Sequence, residues 1–133
     1  MNRASRHRVA GVRDYRKLDV WMLANDVRTR VGMLTARREF GDHRWLRDQL
    51  RKAANSACAN AGEGFSRFLP KDHARFLQIS KASLTEICEH LEDVRTLGLA
   101  KPDELEQIAV LARRARGAAT GLIRYLRTAS PPK

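Results

Sequence analysis

The sequence predicts an all-α protein, an antiparallel up-down-up-down four-helix bundle. Apolar residues recur at three- and four-residue steps in four successive segments, which is the period of an amphipathic helix. The chain has only eight glycines and four prolines, and runs of β-branched residues are absent. A few residues connect one segment to the next, and such short connections require antiparallel neighbours. At 133 residues the chain is long enough to form one domain with its own core.

The first two helices are predicted over residues 17–38 and 42–67. Gly41 and Asp42 separate them, and Asp42 is a suitable N-cap for the second helix because its carboxylate can accept from the free amides of the first turn. The first helix presents the apolar stripe Leu18, Trp21, Ala24, Val27, Val31 and Leu34. The second helix presents Leu46, Leu50, Ala53, Ala57, Ala61 and Phe65.

The third helix is predicted over residues 71–97, and the fourth begins near Pro102. Gly98 follows the third helix at the C′ position, where glycine adopts the left-handed conformation most easily. The third helix presents Leu77, Leu84, Ile87, Leu91 and Val94. The fourth helix presents Leu105, Ile108, Ala112, Ala115, Ala119, Leu122 and Leu126.

The net charge of +11 is concentrated at the two ends of the chain. Residues 1–17 hold six Lys and Arg against one Asp, residues 113–133 hold six against no acid, and the stretch between them is neutral. We expect a basic N-terminal arm over residues 1–14, for which we also expect flexibility, the bundle over residues 15–128 and a C-terminal tail over residues 129–133.

An up-down-up-down topology brings the start of the first helix and the end of the fourth to one end of the bundle. Their charges then reinforce each other, and a concentrated positive field attracts nucleic acid phosphates. Four arginines of the fourth helix lie within about 80° of each other, well away from its apolar stripe. The predicted nucleic-acid-binding residues are Arg3, Arg6, Arg8, Arg13, Arg16, Lys17, Arg113, Arg116, Arg124 and Arg127.

The second helix contains twelve consecutive residues with hardly a large side chain, residues 53–64. Its two glycines destabilise a helix by about 1 kcal/mol each relative to alanine, so we expect close approach of a neighbouring helix or subunit to compensate. Asn60 and Glu63 need polar partners if they are buried. We interpret Glu63 and Glu86 as structural carboxylates, although a functional role for them is an alternative.

Catalytic and cofactor chemistry finds little support in the residue pattern. A di-metal carboxylate site needs two Glu-x-x-His pairs, whereas Glu86, Glu89 and His90 have another spacing. Cys58 and Cys88 fit apolar helical patterns and lack the paired spacing of a zinc site. We therefore predict no enzyme, no metal and no cofactor. The sequence contains no segment that suggests a membrane span or a secretory signal, so we expect a cytoplasmic location.

Several motifs together carry a family resemblance. Residues 15–21 read Tyr-Arg-Lys-Leu-Asp-Val-Trp, residues 46–54 read Leu-Arg-Asp-Gln-Leu-Arg-Lys-Ala-Ala, and residues 59–65 read Ala-Asn-Ala-Gly-Glu-Gly-Phe. Residues 83–87 and 97–99 continue the pattern. The combination resembles the small four-helix-bundle proteins encoded by intervening sequences of bacterial 23S ribosomal RNA genes. Ala61-Gly62 stands where that family usually has Ile-Ala, which concerns a packing detail.

The resemblance implies a homopentamer without enzymatic activity. A related branch serves as the accessory protein of diversity-generating retroelements, where it binds nucleic acid and a reverse transcriptase. Two functions follow. One is a non-catalytic protein that binds nucleic acid, above all RNA, through phosphate contacts. The other is a protein-interaction scaffold, or an accessory subunit for a reverse transcriptase.

Tyr15 and Trp45 are the aromatic residues that we expect on the surface.

Overall fold

The protein is a four-helix bundle. The structure, a computed structural model, describes residues 11–128, and within this range it contains no strand. Its α-helices are α1 (Asp19–Thr35), α2 (Arg44–Phe65), α3 (Pro70–Thr96) and α4 (Pro102–Thr128). Each helix packs against the next, and α4 returns against α1. The predicted all-α fold is confirmed. The predicted tail over residues 129–133 and residues 1–10 of the predicted arm lie outside the described residues.

The first helix is shorter at both ends than predicted. A 3-10 turn, Tyr15–Lys17, precedes α1, and a second 3-10 turn, Arg38–Asp42, follows it. The second turn buries the Phe40 side chain in the core, with 1% of its surface exposed. Because an isolated aromatic residue beside Gly41 has no helical period, the sequence pattern gave no sign of this burial.

The start of α2 also differs from the prediction. Asp42 belongs to the 3-10 turn, and His43 occupies the N-cap position without a side-chain hydrogen bond to the helix. The prediction that Asp42 caps α2 was therefore wrong. The reason is that the chain uses these residues to bring Phe40 inward, which moves the helix start by two residues.

The end of α3 agrees with the predicted glycine stop. Gly98 has a φ of +69°, and its N–H donates to the carbonyl of Arg95 at 3.0 Å. The N–H of Leu99 donates to the carbonyl of Val94 at 3.1 Å. These two bonds form a Schellman motif, and Leu99 and Val94 are both buried in the same core cluster.

The core has a large and a small cluster of buried side chains. The large cluster includes Phe40, Leu50, Leu84 and Ile87. The small cluster consists of Leu18, Val20, Ala61, Phe65, Leu77, Ala119, Ile123 and Leu126. The predicted stripes match this core with two corrections. On α1, Val20 is buried and Trp21 is only partly buried, and on α4, Ile123 is buried and Leu122 is only partly buried. None of the helices in residues 11–128 is both long and apolar enough to cross a membrane.

Candidate nucleic-acid interface

One end of the bundle gathers the start of α1, the end of α2, the start of α3 and the end of α4. The small core cluster demonstrates this arrangement, because its buried residues come from all four of these segments. We call this surface the basic end. Its cations are Arg13, Arg16, Lys17, Arg67, Lys71, Arg75, Arg124 and Arg127.

Three of these cations have a carboxylate partner. Arg16 pairs with Asp14 at 2.8 Å, Arg67 with Glu63 at 2.9 Å and Arg75 with Asp72 at 3.8 Å. The other five cations of the basic end have no carboxylate within 4.0 Å among the described residues, and all five are exposed. They are Arg13, Lys17, Lys71, Arg124 and Arg127. Among the described residues, this end of the bundle therefore has more positive than negative charge.

The Arg16 pair is a local contact. The Asp14 carboxylate accepts from the side chain of Arg16, with Nε at 3.1 Å, and from its backbone N–H at 3.0 Å. These hydrogen bonds lower the pKa of Asp14 and, in return, the carboxylate raises the pKa of Arg16. The guanidinium is still well exposed, so it can approach a phosphate, but part of its charge is already compensated.

The arginine stripe of α4 divides into two parts. Arg124 and Arg127 lie at the basic end, whereas Arg113 lies about 21 Å from Arg127 along the helix at 1.5 Å per residue. Arg113 pairs with Glu106 at 2.6 Å, and Arg116 is half buried on the side that faces Cys88 of α3. The structure thus does not bring Arg113 and Arg116 together with the cations of the basic end. The predicted residues Arg3, Arg6 and Arg8 lie outside the described residues.

Three cations of the basic end were missed in the sequence analysis. Arg67, Lys71 and Arg75 flank the connection between α2 and α3. The topology that brings the start of α1 and the end of α4 together also places this connection at the basic end. The position of these three cations could therefore have been predicted from the sequence. Two of these arginines share an aromatic partner: the guanidinium of Arg67 lies 4.5 Å and that of Arg75 5.7 Å from the centre of the Phe76 ring. Both distances lie within the range of a cation–π contact.

The opposite end, which we call the neutral end, has balanced charges. Its cations are Arg37, Arg38, Arg44, Arg47, Arg95 and Lys101, and its acids are Glu39, Asp42, Asp48, Glu92, Asp93, Asp103 and Glu104. Arg37 reaches from the end of α1 to Glu104 at the start of α4. Among the described residues, the excess of positive charge therefore lies at the basic end and not at this one.

The comparison with known families agrees with the motifs. A model of the 23S rRNA-intervening sequence protein family matches residues 16–120. The chain belongs to this family. The match covers α1, α2, α3 and most of α4, while Arg13, Arg124 and Arg127 of the basic end lie outside it. Among curated proteins none matches the chain.

Close contacts with neighbouring residues explain the two glycines of the family-like block over residues 59–65. A Cβ atom on Gly64 would lie 2.8 Å from Cδ2 of His73 and 3.0 Å from Cβ of Phe76, so α3 can approach α2 only because this residue lacks a side chain. A Cβ atom on Gly62 would lie 3.3 Å from Cδ2 of Tyr15. The expected close approach is thus made within the bundle, by α3 at one glycine and by the first 3-10 turn at the other.

The polar residues of the family-like blocks have structural partners. Asn60 donates to the carbonyl of Ser56 at 2.9 Å, and the Ser56 hydroxyl accepts from Ser83 of α3 at 2.8 Å. Glu63 is exposed and pairs with Arg67 within its own helix. Glu86 lies 3.3 Å from Nε2 of His90. These contacts are those of a helix interface and a solvated surface.

The two cysteines are free thiols in or beside the core. Cys58 is buried, and burial raises the pKa of its thiol to about 11. Cys88 is partly buried, and burial raises its pKa as well. Such thiols are poor nucleophiles at neutral pH. Among residues 11–128, no group of three or more His, Cys, Asp and Glu side chains is placed to hold a metal ion.

The two aromatic residues expected on the surface are both exposed. Trp45 exposes 67% of its surface at the neutral end and contacts the edge of the His90 ring. Tyr15 exposes 40% of its surface but packs edge-on against Trp21, with the ring centres 5.4 Å apart. Tyr15 is therefore an exposed aromatic residue beside the basic end, and Trp45 belongs to a different surface. Tyr125, which the sequence analysis did not single out, exposes 46% of its surface between Arg124 and Arg127 of the basic end.

Proposed function

We propose that the protein is a non-catalytic RNA-binding protein, and that the basic end is the surface that contacts the phosphates. The observation that carries this proposal is the set of five exposed cations at one end of the bundle that have no carboxylate partner among residues 11–128. Arginine and lysine in such a cluster bind a phosphate backbone with little dependence on its sequence. The family description, which refers to 23S rRNA, favours RNA as the nucleic acid.

The proposal includes assembly as a homopentamer, which the family resemblance implies. Apolar side chains on the outer faces of α1 and α4 support contact with further copies: Met22 exposes 48%, Met33 71% and Val110 40% of its surface. Five basic ends in one particle would let weak contacts in each subunit add up to useful avidity. Light scattering tests this part, with an expected mass of five chains.

The experiment that tests the RNA proposal compares the two ends of the bundle. One variant changes Lys17, Arg124 and Arg127 to Gln at the basic end. A matched control changes Arg38, Arg44 and Lys101 to Gln at the neutral end, so that both variants lose the same charge. Binding to a labelled RNA is then measured over a salt series by fluorescence anisotropy.

The slope of log affinity against log salt concentration gives the result. If each of the three basic-end cations contacts one phosphate, the slope becomes shallower by about two to three in the basic-end variant. The slope of the neutral-end variant should match that of the wild type. Equal effects of both variants would contradict the proposal, because attraction would then depend on net charge alone. Absence of RNA binding near physiological salt would also contradict it.

A second variant decides whether the other half of the predicted arginine stripe on α4, Arg113 and Arg116, contributes to RNA binding. Changing Arg113 and Arg116 to Gln should leave the slope close to that of the wild type, because Glu106 already pairs with Arg113 and Arg116 is half buried. A shallower slope would return these two residues to the RNA-binding surface.

The second candidate function is an accessory subunit that binds a reverse transcriptase. The exposed Trp45 and Leu97 favour it, since they line the same groove at the neutral end, away from the cations of the basic end. A neighbouring reverse transcriptase gene would support this function. Co-purification of the two proteins, lost on Trp45→Ala and kept in the basic-end variant, would test it.

A further inference from the structure

A groove runs between the start of α3 and the end of α4 at the basic end, and we call it the α3–α4 groove. Its volume is about 680 Å³, which falls within the roughly 300 to 1,000 Å³ of small-ligand sites. Its apolar part includes Leu69, Ala74 and Leu126, and its rim carries Lys71, Arg75 and Arg127. An apolar hollow under a cationic rim thus lies inside the surface that we propose for RNA.

The rim can hold a phosphate. Lys71 and Arg127 are exposed and have no carboxylate partner among residues 11–128, while Arg75 has a loose one in Asp72 at 3.8 Å. The rim therefore has more positive than negative charge, and a phosphate group is complementary to it. A continuous RNA duplex could satisfy these cations, but it would leave the apolar part of the groove empty.

The apolar part has the chemistry of a base-binding surface. Leu69 exposes 41% of its side chain and Ala74 is half buried, so a flat ring can be covered there without moving the core. Arg75 adds a planar guanidinium, a group on which bases stack. Gln78 lies at the groove with an exposed amide that can donate to or accept from the edge of a base.

We infer that the α3–α4 groove receives one unpaired nucleotide of the bound RNA, with its base against Leu69 and Ala74 and its phosphate between Lys71 and Arg127. The inference rests on the proposed RNA binding and makes it specific. The protein would prefer an RNA with a bulged or unpaired nucleotide to a continuous duplex. The phosphate contacts of the rest of the basic end would be common to both.

The test uses two RNA hairpins that differ only in one base. One hairpin carries a single bulged nucleotide, and the other carries an abasic residue at the same position, so both have the same number of phosphates. The wild type should bind the bulged hairpin about fivefold more tightly, which corresponds to about 1 kcal/mol and to the burial of roughly 40 Å² of apolar surface.

Two protein variants connect this advantage to the groove. Ala74→Trp fills the groove, and its control is Ala82→Trp on the exposed face of the same helix. Leu69→Ala removes part of the apolar surface, and its control is Leu97→Ala, an exposed leucine at the other end of α3. Both groove variants should lose the advantage of the bulged hairpin and keep the salt slope of the wild type. Both controls should keep the advantage.

The possible outcomes separate the two proposals. If the wild type binds both hairpins equally, with a salt slope that depends on the basic end, the RNA proposal holds and the groove inference is wrong. The groove inference is also wrong if Leu69→Ala and a folded Ala74→Trp keep the full advantage. An acidic peptide could also abolish the tighter binding of the bulged hairpin without changing the binding of the abasic hairpin. That result would assign the groove to a protein partner instead. Failure of the wild type to bind either hairpin would overturn both proposals.

Discussion

The basic end and the neutral end are the two ends of the same four helices, but they differ in the size of the core and in the sequence separation of their ion pairs. At the basic end, the ion pairs join residues two to four positions apart, such as Asp14 with Arg16 and Glu63 with Arg67. The neutral end has local pairs as well, such as Glu92 with Arg95, but there Arg37 and Glu104 also join two helices that are distant in sequence. Uncompensated charge is thus not needed to hold the helices together, since self-repulsion opposes a compact state. Its concentration at one end is the observation on which the RNA proposal rests.

The largest difference between the ends should appear when a buried leucine is removed. Leu77 and Leu84 are both fully buried on α3, one in the small cluster of the basic end and one in the large cluster. We expect Leu77→Ala and Leu84→Ala each to lower the free energy of unfolding by about 2 to 5 kcal/mol. The loss should be greater for Leu84→Ala, because a site enclosed by the larger cluster collapses less easily around a cavity. Chemical denaturation measures both values.

Matching losses for the two leucine variants would indicate that the clusters relax equally. A greater loss for Leu77→Ala would contradict the comparison, and it would identify the basic end as the better packed part of the bundle. Val94→Ala in the large cluster is a smaller deletion and provides a scale for the cavity effect.

Most of the fold could be predicted from the sequence because helical periodicity reports burial directly. The stripes of four helices, the stop at Gly98 and the meeting of the start of α1 with the end of α4 all depend on this period and on short connections. Phe40 could not be predicted in this way, since its burial depends on a 3-10 turn that has no apolar repeat. The shift from Leu122 to Ile123 reflects two adjacent apolar residues, between which only the packing decides.

The candidate site was predictable in part. The clustering of Arg13, Lys17, Arg124 and Arg127 follows from topology and charge alone. The pairing of Arg113 with Glu106 depends on side-chain conformations two helical turns apart, which a residue pattern does not determine. A role of these residues in RNA binding remains a prediction.

The next difference concerns one glycine at each end of the bundle, Gly64 and Gly98. Gly64→Ala at the basic end should lower the free energy of unfolding by about 1 to 2 kcal/mol, since the strain of the new contact with His73 exceeds the gain in helix propensity. Gly98→Ala at the neutral end should lower it by about 1 kcal/mol for a different reason, its positive φ.

Asparagine separates the two causes, and thermal unfolding can compare all the variants. Because asparagine tolerates a positive φ, Gly98→Asn should recover part of the stability lost in Gly98→Ala. Gly64→Asn should be less stable than Gly64→Ala, because its side chain is larger. Gly117 on α4 has open space where a Cβ atom would lie, so Gly117→Ala serves as the control and should stabilise the protein slightly. Recovery at Gly64 with asparagine would contradict the contact explanation.

The smallest difference is in the response to acid. The hydrogen bond from Arg37 lowers the pKa of Glu104 in the folded protein, and the hydrogen bonds from Arg16 lower that of Asp14. A lowered pKa stabilises the fold at pH values above the pKa of the unfolded chain, which is near 4.3 for Glu. This contribution is lost as the pH falls through the folded pKa. Asp14 and Arg16 are close in sequence and can meet in the unfolded chain as well, whereas Arg37 and Glu104 meet only after folding. Glu104→Gln should therefore reduce the fall in melting temperature between pH 6 and pH 3, and Asp14→Asn should change it less. The reverse order would mean that the local pair at the basic end, and not the pair that joins α1 to α4, couples folding to protonation.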